Sequence, residues 1–88
     1  MSDFEKLFMK IKQLSTAIIE ENYDDYTKQG YAILMKIHDL GITQDQVYST
    51  FFHYYNSLQD GLSKEWIADM LDYISGWCNL EKYIWKNM

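Results

Sequence analysis

Ser63–Tyr73 reads SKEWIADMLDY, and its spacing decides the fold. At 100° per residue, Ile67, Met70, Leu71 and Ile74 fall on one side as a core-facing helical stripe. Glu65, Asp69 and Asp72 fall opposite, as a row of carboxylates, with Trp66 and Tyr73 on the border between the faces. An acidic row framed by large aromatic side chains offers a landing surface to a basic partner. Its plainer reading is a solvated helix face with two partly buried rings beside it.

Upstream of this stretch, Val47, Tyr48, Phe51, Phe52, Tyr55 and Leu58 repeat at helical spacing and stop at Asp60-Gly61. The start of that helix is marked by Ile42-Thr43-Gln44-Asp45-Gln46-Val47, a capping box on Thr43 and Gln46 with Ile42 and Val47 placed as a hydrophobic staple. Gly61-Leu62-Ser63 repeats the punctuation of Gly41-Ile42-Thr43, which implies reuse of helix-start chemistry at Ser63. Tyr55 is in phase with Phe51 and Phe52 and belongs to the core on this reading, while Tyr54 is out of phase and exposed.

Further out, Tyr23, Tyr26, Gly30, Ile33, Leu34, Ile37 and Leu40 define another helix. Asn22 is its expected cap, Gly30 leaves room for a neighbour, and Gly41 is the left-handed stop. Asp3–Glu20 carries a seam of Phe4, Leu7, Ile11, Leu14 and Ile18, widened by Phe8 and Ile19, with Ser2 or Asp3 as cap. Downstream, Gly76 ends or kinks the helix that contains SKEWIADMLDY. Asn79 can cap a closing turn over Leu80–Trp85, against which Trp77 and Trp85 serve as structural pins. Proline is absent and no stretch alternates with period two. Short links imply antiparallel neighbours. The expected fold is therefore all-α, an antiparallel four-helix bundle with a short C-terminal helical turn, forming one domain over 1–88.

At 88 residues the chain buries roughly 60–65% of the surface its unfolded form exposes. A content of 48% hydrophobic and 17% aromatic residues supplies the core and excludes a disordered composition. The formal net charge of −5, with no Arg among the eight basic residues, argues against direct nucleic-acid binding and fits a basic protein partner. A lone Cys78 favours a reducing compartment. The charges that interrupt MSDFEKLFMKIKQLS leave no signal-peptide core, and no apolar run reaches the ~20 residues of a membrane span. These features lead to the expectation of a soluble, cytoplasmic protein without membrane contact.

No residue pattern encodes a reaction. His38 and His53 lack zinc-ligand spacing with Cys78, and Glu20, Glu21, Asp24 and Asp25 lack the order and glycine of a calcium loop. Cys78 has no flanking cation to activate it, and no serine sits in a nucleophile elbow. The expectation is a binding protein with no catalytic residue, metal or cofactor. Besides Glu65, Trp66, Asp69, Asp72 and Tyr73, two further surfaces are candidates. One is EENYDD, where Glu20, Glu21, Asp24 and Asp25 surround Tyr23. Two of those acids suffice to complement a helix dipole. The other is Tyr54 on the third helix.

The C-terminal half, VYSTFFHYYNSLQDGLSKEWIADMLDYISGWCNLEKYIW, completes a small, acidic, Arg-free, aromatic-rich helical chain. In this it resembles bacterial immunity proteins, the cognate inhibitors of colicins and of contact-dependent growth-inhibition toxins. The nuclease-colicin immunity family shares a helical bundle, an acidic helix and a Tyr-Tyr pair. Tyr54-Tyr55 is similar to that pair, though no proline follows it. The resemblance implies tight binding to one basic toxin domain, commonly a nuclease, over or beside its active site. The alternatives are a self-associating helical adaptor that meets its own copy through the aromatic edge, and a nucleic-acid-mimicking inhibitor.

Overall fold

Side-chain caps and left-handed glycines set the limits of the helices. In the computed structural model, which describes residues 1–78 and 80–85, α1 spans Asp3–Thr16 and α2 spans Tyr23–Asp39. Helix α3 spans Gln44–Ser57 and α4 spans Leu62–Ser75. Short 3-10 turns occupy Glu20–Asn22 and Leu80–Lys82. Among the described residues the regular structure is helical, with no strand. Among the described residues no helix is long and apolar enough to cross a membrane.

Ser2 caps α1, its Oγ accepting from the Glu5 N–H at 3.1 Å. The apolar seam continues to Ile18, but the helix stops at Thr16, four residues short of the expected Glu20. Ser15 and Thr16 turn their hydroxyls back onto the Lys12 and Gln13 carbonyls at 2.7 and 2.9 Å, which competes with helix propagation. Asn22 serves the link instead of capping α2: its side chain accepts from the Ile19 N–H at 2.9 Å and donates to the Ala17 carbonyl at 3.1 Å. Ile18 is buried beneath this link, so the seam outlasts the helix.

Thr43 caps α3 as its capping box predicts, accepting from the Gln46 N–H at 3.3 Å. The matching serine behaves differently. Gly61, at φ +154°, occupies the cap of α4, and Ser63 inside the helix donates to the Ser15 carbonyl at 2.6 Å. That bond satisfies a backbone oxygen left open at the end of α1. Ser15 is itself fully buried and shares a hydrogen bond of 2.6 Å with the Tyr54 hydroxyl. One small polar cluster thereby joins α1, α3 and α4.

Helix α4 packs against each of the other three helices. Its buried residues include Trp66 alongside Ile67, Met70, Leu71 and Ile74, an arc wider than a surface helix carries. Around it gather Ile11 of α1, Leu34 and Ile37 of α2, and Val47 and Phe51 of α3. Gly30 makes this arrangement possible. A Cβ there would lie 2.8 Å from both Met70 Sδ and Trp66 Cζ2, so any side chain would displace the indole from α2. The Cα radius of gyration, 12.1 Å, equals the value of about 12 Å expected for a compact chain of this length.

The closing segment is hydrogen-bonded onto the helices. Trp85 is buried and its indole N–H donates to the Ile42 carbonyl at 3.0 Å. The Gln44 amide donates to the Ile74 carbonyl at 2.8 Å and to the Tyr83 hydroxyl at 2.9 Å. Asn79, the expected cap of this turn, lies outside the described residues. Trp77 does not pin the turn: Gly76, at φ +93°, directs the chain out of the helix, and Trp77 is 83% exposed.

Candidate protein-binding surface

Burial redistributes the aromatic residues expected at the binding surface. Trp66 is not on the border of α4 but wholly inside, because three helices converge on α4 and Gly30 leaves room for the ring. Tyr54 is likewise not an exposed side chain. Its ring meets Phe8 edge-on at 5.9 Å and its hydroxyl is bonded to Ser15. The inward face of α3 is Val47, Phe51 and Tyr54, continued by Leu58 just past its end, which turns Tyr48 and Phe52 outward and leaves Tyr55 half-buried. Tyr73 is half-buried, with its ring edge-on to Tyr31 at 5.1 Å.

The acidic residues are placed as the spacing predicts. Glu65 and Asp72 are exposed and Asp69 is half-buried. The first turn of α2 adds Tyr23, whose hydroxyl donates to Asp69 Oδ2 at 2.5 Å. This bond joins the two acidic stretches that the sequence left separate, since Tyr23 lies within EENYDD. Glu20, Glu21, Asp24 and Asp25 are all exposed, and Asp25 accepts from the Gln29 amide at 3.2 Å.

Among the described residues the ion pairs are His38–Asp39 and Lys64–Asp60, so no lysine neutralises Glu65, Asp69 or Asp72. Lys6, Lys10 and Lys36 instead line grooves along α1 and α2. Lys82 holds its ammonium 5.5 Å above the Tyr31 ring. Proximity of the carboxylates leaves an electrostatic signature. Burial and then the charge of Asp69 push the Asp72 carboxyl above its ordinary range. Tyr23 is raised by burial, by its bond to Asp69 and by the charges of Asp69 and Glu65. Tyr73 is raised by burial and then by Asp69, and the Cys78 thiol by burial and then by Asp72.

Cys78 lies on the link after α4. That link carries Trp77, and Leu80 beyond it is 73% exposed. The exposed tryptophan of this segment is therefore Trp77, on the link that follows α4, while Trp66 is buried. Its signal in the sequence was Gly76, which takes the next residue out of helical phase.

These shifts make an alkaline titration informative. The folded-state pKa of Tyr23 and Tyr73 lies above that of the unfolded chain, near 10, so the folded state keeps protons that the unfolded state releases. Their stabilising contribution is complete below pH about 10 and is lost as pH rises beyond it. Phenolate absorbance should show two of the tyrosines titrating late, and Asp69→Asn should bring Tyr23 back toward the ordinary range. An unchanged profile in that variant would separate Asp69 from the phenol.

No protein-family model, curated protein or solved structure matches this chain.

Proposed function

We propose that the chain is a helical partner-binding protein whose acidic and aromatic surface docks a basic protein domain. Within that class it acts as an immunity protein that neutralises a cognate toxin, with a nuclease domain as the favoured target. The supporting observation is the row Glu65, Asp69 and Asp72, without a lysine partner among the described residues, with the exposed Trp77 on the link that follows α4. Nuclease clefts are basic because they hold phosphate, so an acidic row is steered toward them at long range. Trp77 and Tyr73 then supply the desolvated contact that slows dissociation. Inhibition follows from covering the cleft or the path of the substrate, with no chemistry, metal or cofactor from this chain.

The body that presents this surface is an antiparallel four-helix bundle. In support, the start of α3 bonds the end of α4 through Gln44 and Ile74, and the end of α1 bonds the start of α4 through Ser15 and Ser63. The protein works in the cytoplasm, where such a toxin would act on the producing cell.

The test is co-purification of the tagged full chain from its native host at low salt, with mass identification of the bound protein. Binding of that protein is then measured with wild type and with Trp77→Ala. The expected partner is a basic toxin domain, encoded by a reading frame next to this one, whose activity falls on binding. A partner without a basic domain, or an affinity indifferent to Trp77→Ala, overturns the reading.

A further inference from the structure

Tyr48, Phe52 and Tyr55 form an aromatic ladder along α3, in which Tyr48 and Phe52 are exposed and Tyr55 is half-buried beneath Lys64. The Tyr48 and Phe52 rings stack at 5.8 Å and 13°, and those of Phe52 and Tyr55 at 6.1 Å and 17°. Tyr48 is 36% and Phe52 42% exposed. Sequence spacing places Tyr48 and Phe52 in the core with Phe51, yet the Tyr54–Ser15 bond goes with a rotation that keeps Val47 and Phe51 inward and turns Tyr48 and Phe52 out. The ladder has a charge at each end. Asp45, exposed, lies three residues before Tyr48 on the same face. Lys64 of α4 sits with its ammonium 4.8 Å above the Tyr55 ring.

We infer that this face is the contact between two copies of the chain, which pair α3 antiparallel to α3 about a two-fold axis near Phe52. Two observations select a second copy. First, the chain carries a net charge of −5, and a contact through α4 would set two carboxylate rows against each other. Helix α3 carries Asp45 as its one acid and no lysine, so it can approach its own image without that repulsion. Second, the end charges are complementary under two-fold rotation. Phe52 meets Phe52, and the Asp45 of each copy, about 10 Å from the axis, lies at the end where the other copy holds Lys64. Within one chain Lys64 pairs with Asp60 at 3.7 Å, and Asp60 is fully exposed. Exposed pairs of this kind are weak, so Lys64 can change partner.

A four-turn helical strip is smaller than a standard interface, which places the dimer in the weak class, with Kd of about 10–100 µM. Self-association through α3 uses different residues from the acidic row, so it stands or falls separately from the toxin-binding reading.

The experiment is sedimentation equilibrium on the full chain, with helix content and melting temperature measured for each variant. The mass should rise toward twice the monomer as the concentration passes through that range. Phe52→Ser, which removes an exposed ring, should raise Kd at least about tenfold. Asp45→Lys and Lys64→Glu should each weaken the dimer, and the two together should restore it to within about threefold of wild type. Asp60→Asn should strengthen it by freeing Lys64. If Phe52→Ser lowers the melting temperature, Tyr48→Ser takes its place, and the charge exchange is independent of both. A chain that stays monomeric throughout, a dimer that ignores removal of the ring, or a double charge exchange as weak as either single variant would each overturn the assignment.

Discussion

Trp66→Ala is expected to cost about 3–5 kcal/mol of folding stability, the usual penalty for removing a buried indole. Against a total of about 5–15 kcal/mol for a domain, this leaves a marginal fold, and the melting temperature should fall by about 15–30 °C. The ring is fully buried and packs against Gly30 of α2. Among the described residues its N–H is buried without a hydrogen-bond partner, at a cost of about 1–3 kcal/mol that the burial of the ring offsets. Trp66→Phe removes that orphan donor along with part of the ring, so its loss should be clearly smaller than that of alanine. Trp77→Ala is the counterpart. At 83% exposure its removal should change stability by no more than about 0.5 kcal/mol. Thermal melts followed by near-ultraviolet circular dichroism separate the two tryptophans. Equal melting temperatures for Trp66→Ala and wild type would contradict the packing described here.

The contrast between these tryptophans shows how far the sequence could be read. Helical spacing located all four helices, and the Thr43 cap, Gly30 and Gly41 did what their chemistry predicts. Spacing failed where an element is apolar on more than one side. In α3, five of the eight residues Val47–Tyr54 are aromatic or aliphatic, so periodicity alone could not choose its rotation. The choice was made by Ser15, buried on another helix and bonded to Tyr54. Such a bond spans 39 positions and leaves no local trace. Trp66 was misplaced for a related reason. The width of a buried arc depends on how many neighbours a helix has, and α4 has three. The end of α1 was set by Ser15, Thr16 and Asn22, short polar side chains that outweigh an apolar seam continuing through Ile18. The carboxylate row was legible because exposed charges follow the helical angle regardless of packing. Its union with EENYDD through Tyr23 was not, because that contact is tertiary.

Joint reversal of Glu65, Asp69 and Asp72 to lysine tests the electrostatic half of the proposal. Each reversal changes the charge by two, so the three together take the chain from −5 to +1. Long-range attraction acts mainly on the encounter rate, so association with a basic toxin domain should slow about 100-fold at low ionic strength. The slope of the rate against salt should flatten as well, since screening then has little attraction to remove. Asp69→Lys also breaks the Tyr23 bond, so the pair Glu65→Lys and Asp72→Lys, both exposed, isolates charge from structure and should retain most of the effect. Reversal of Glu20, Glu21, Asp24 and Asp25 is the comparison that locates the surface. If the toxin lands on α4, those four changes alter the rate only through net charge, by a factor that vanishes at high salt. If it lands on the start of α2, they raise the dissociation rate too. Tyr23 touches both acidic stretches, so Tyr23→Phe, which frees the Asp69 carboxylate without altering any charge, should leave the salt slope intact whichever side is used. Unchanged kinetics in the triple variant would remove the acidic row from the interface and leave Trp77 to account for binding alone.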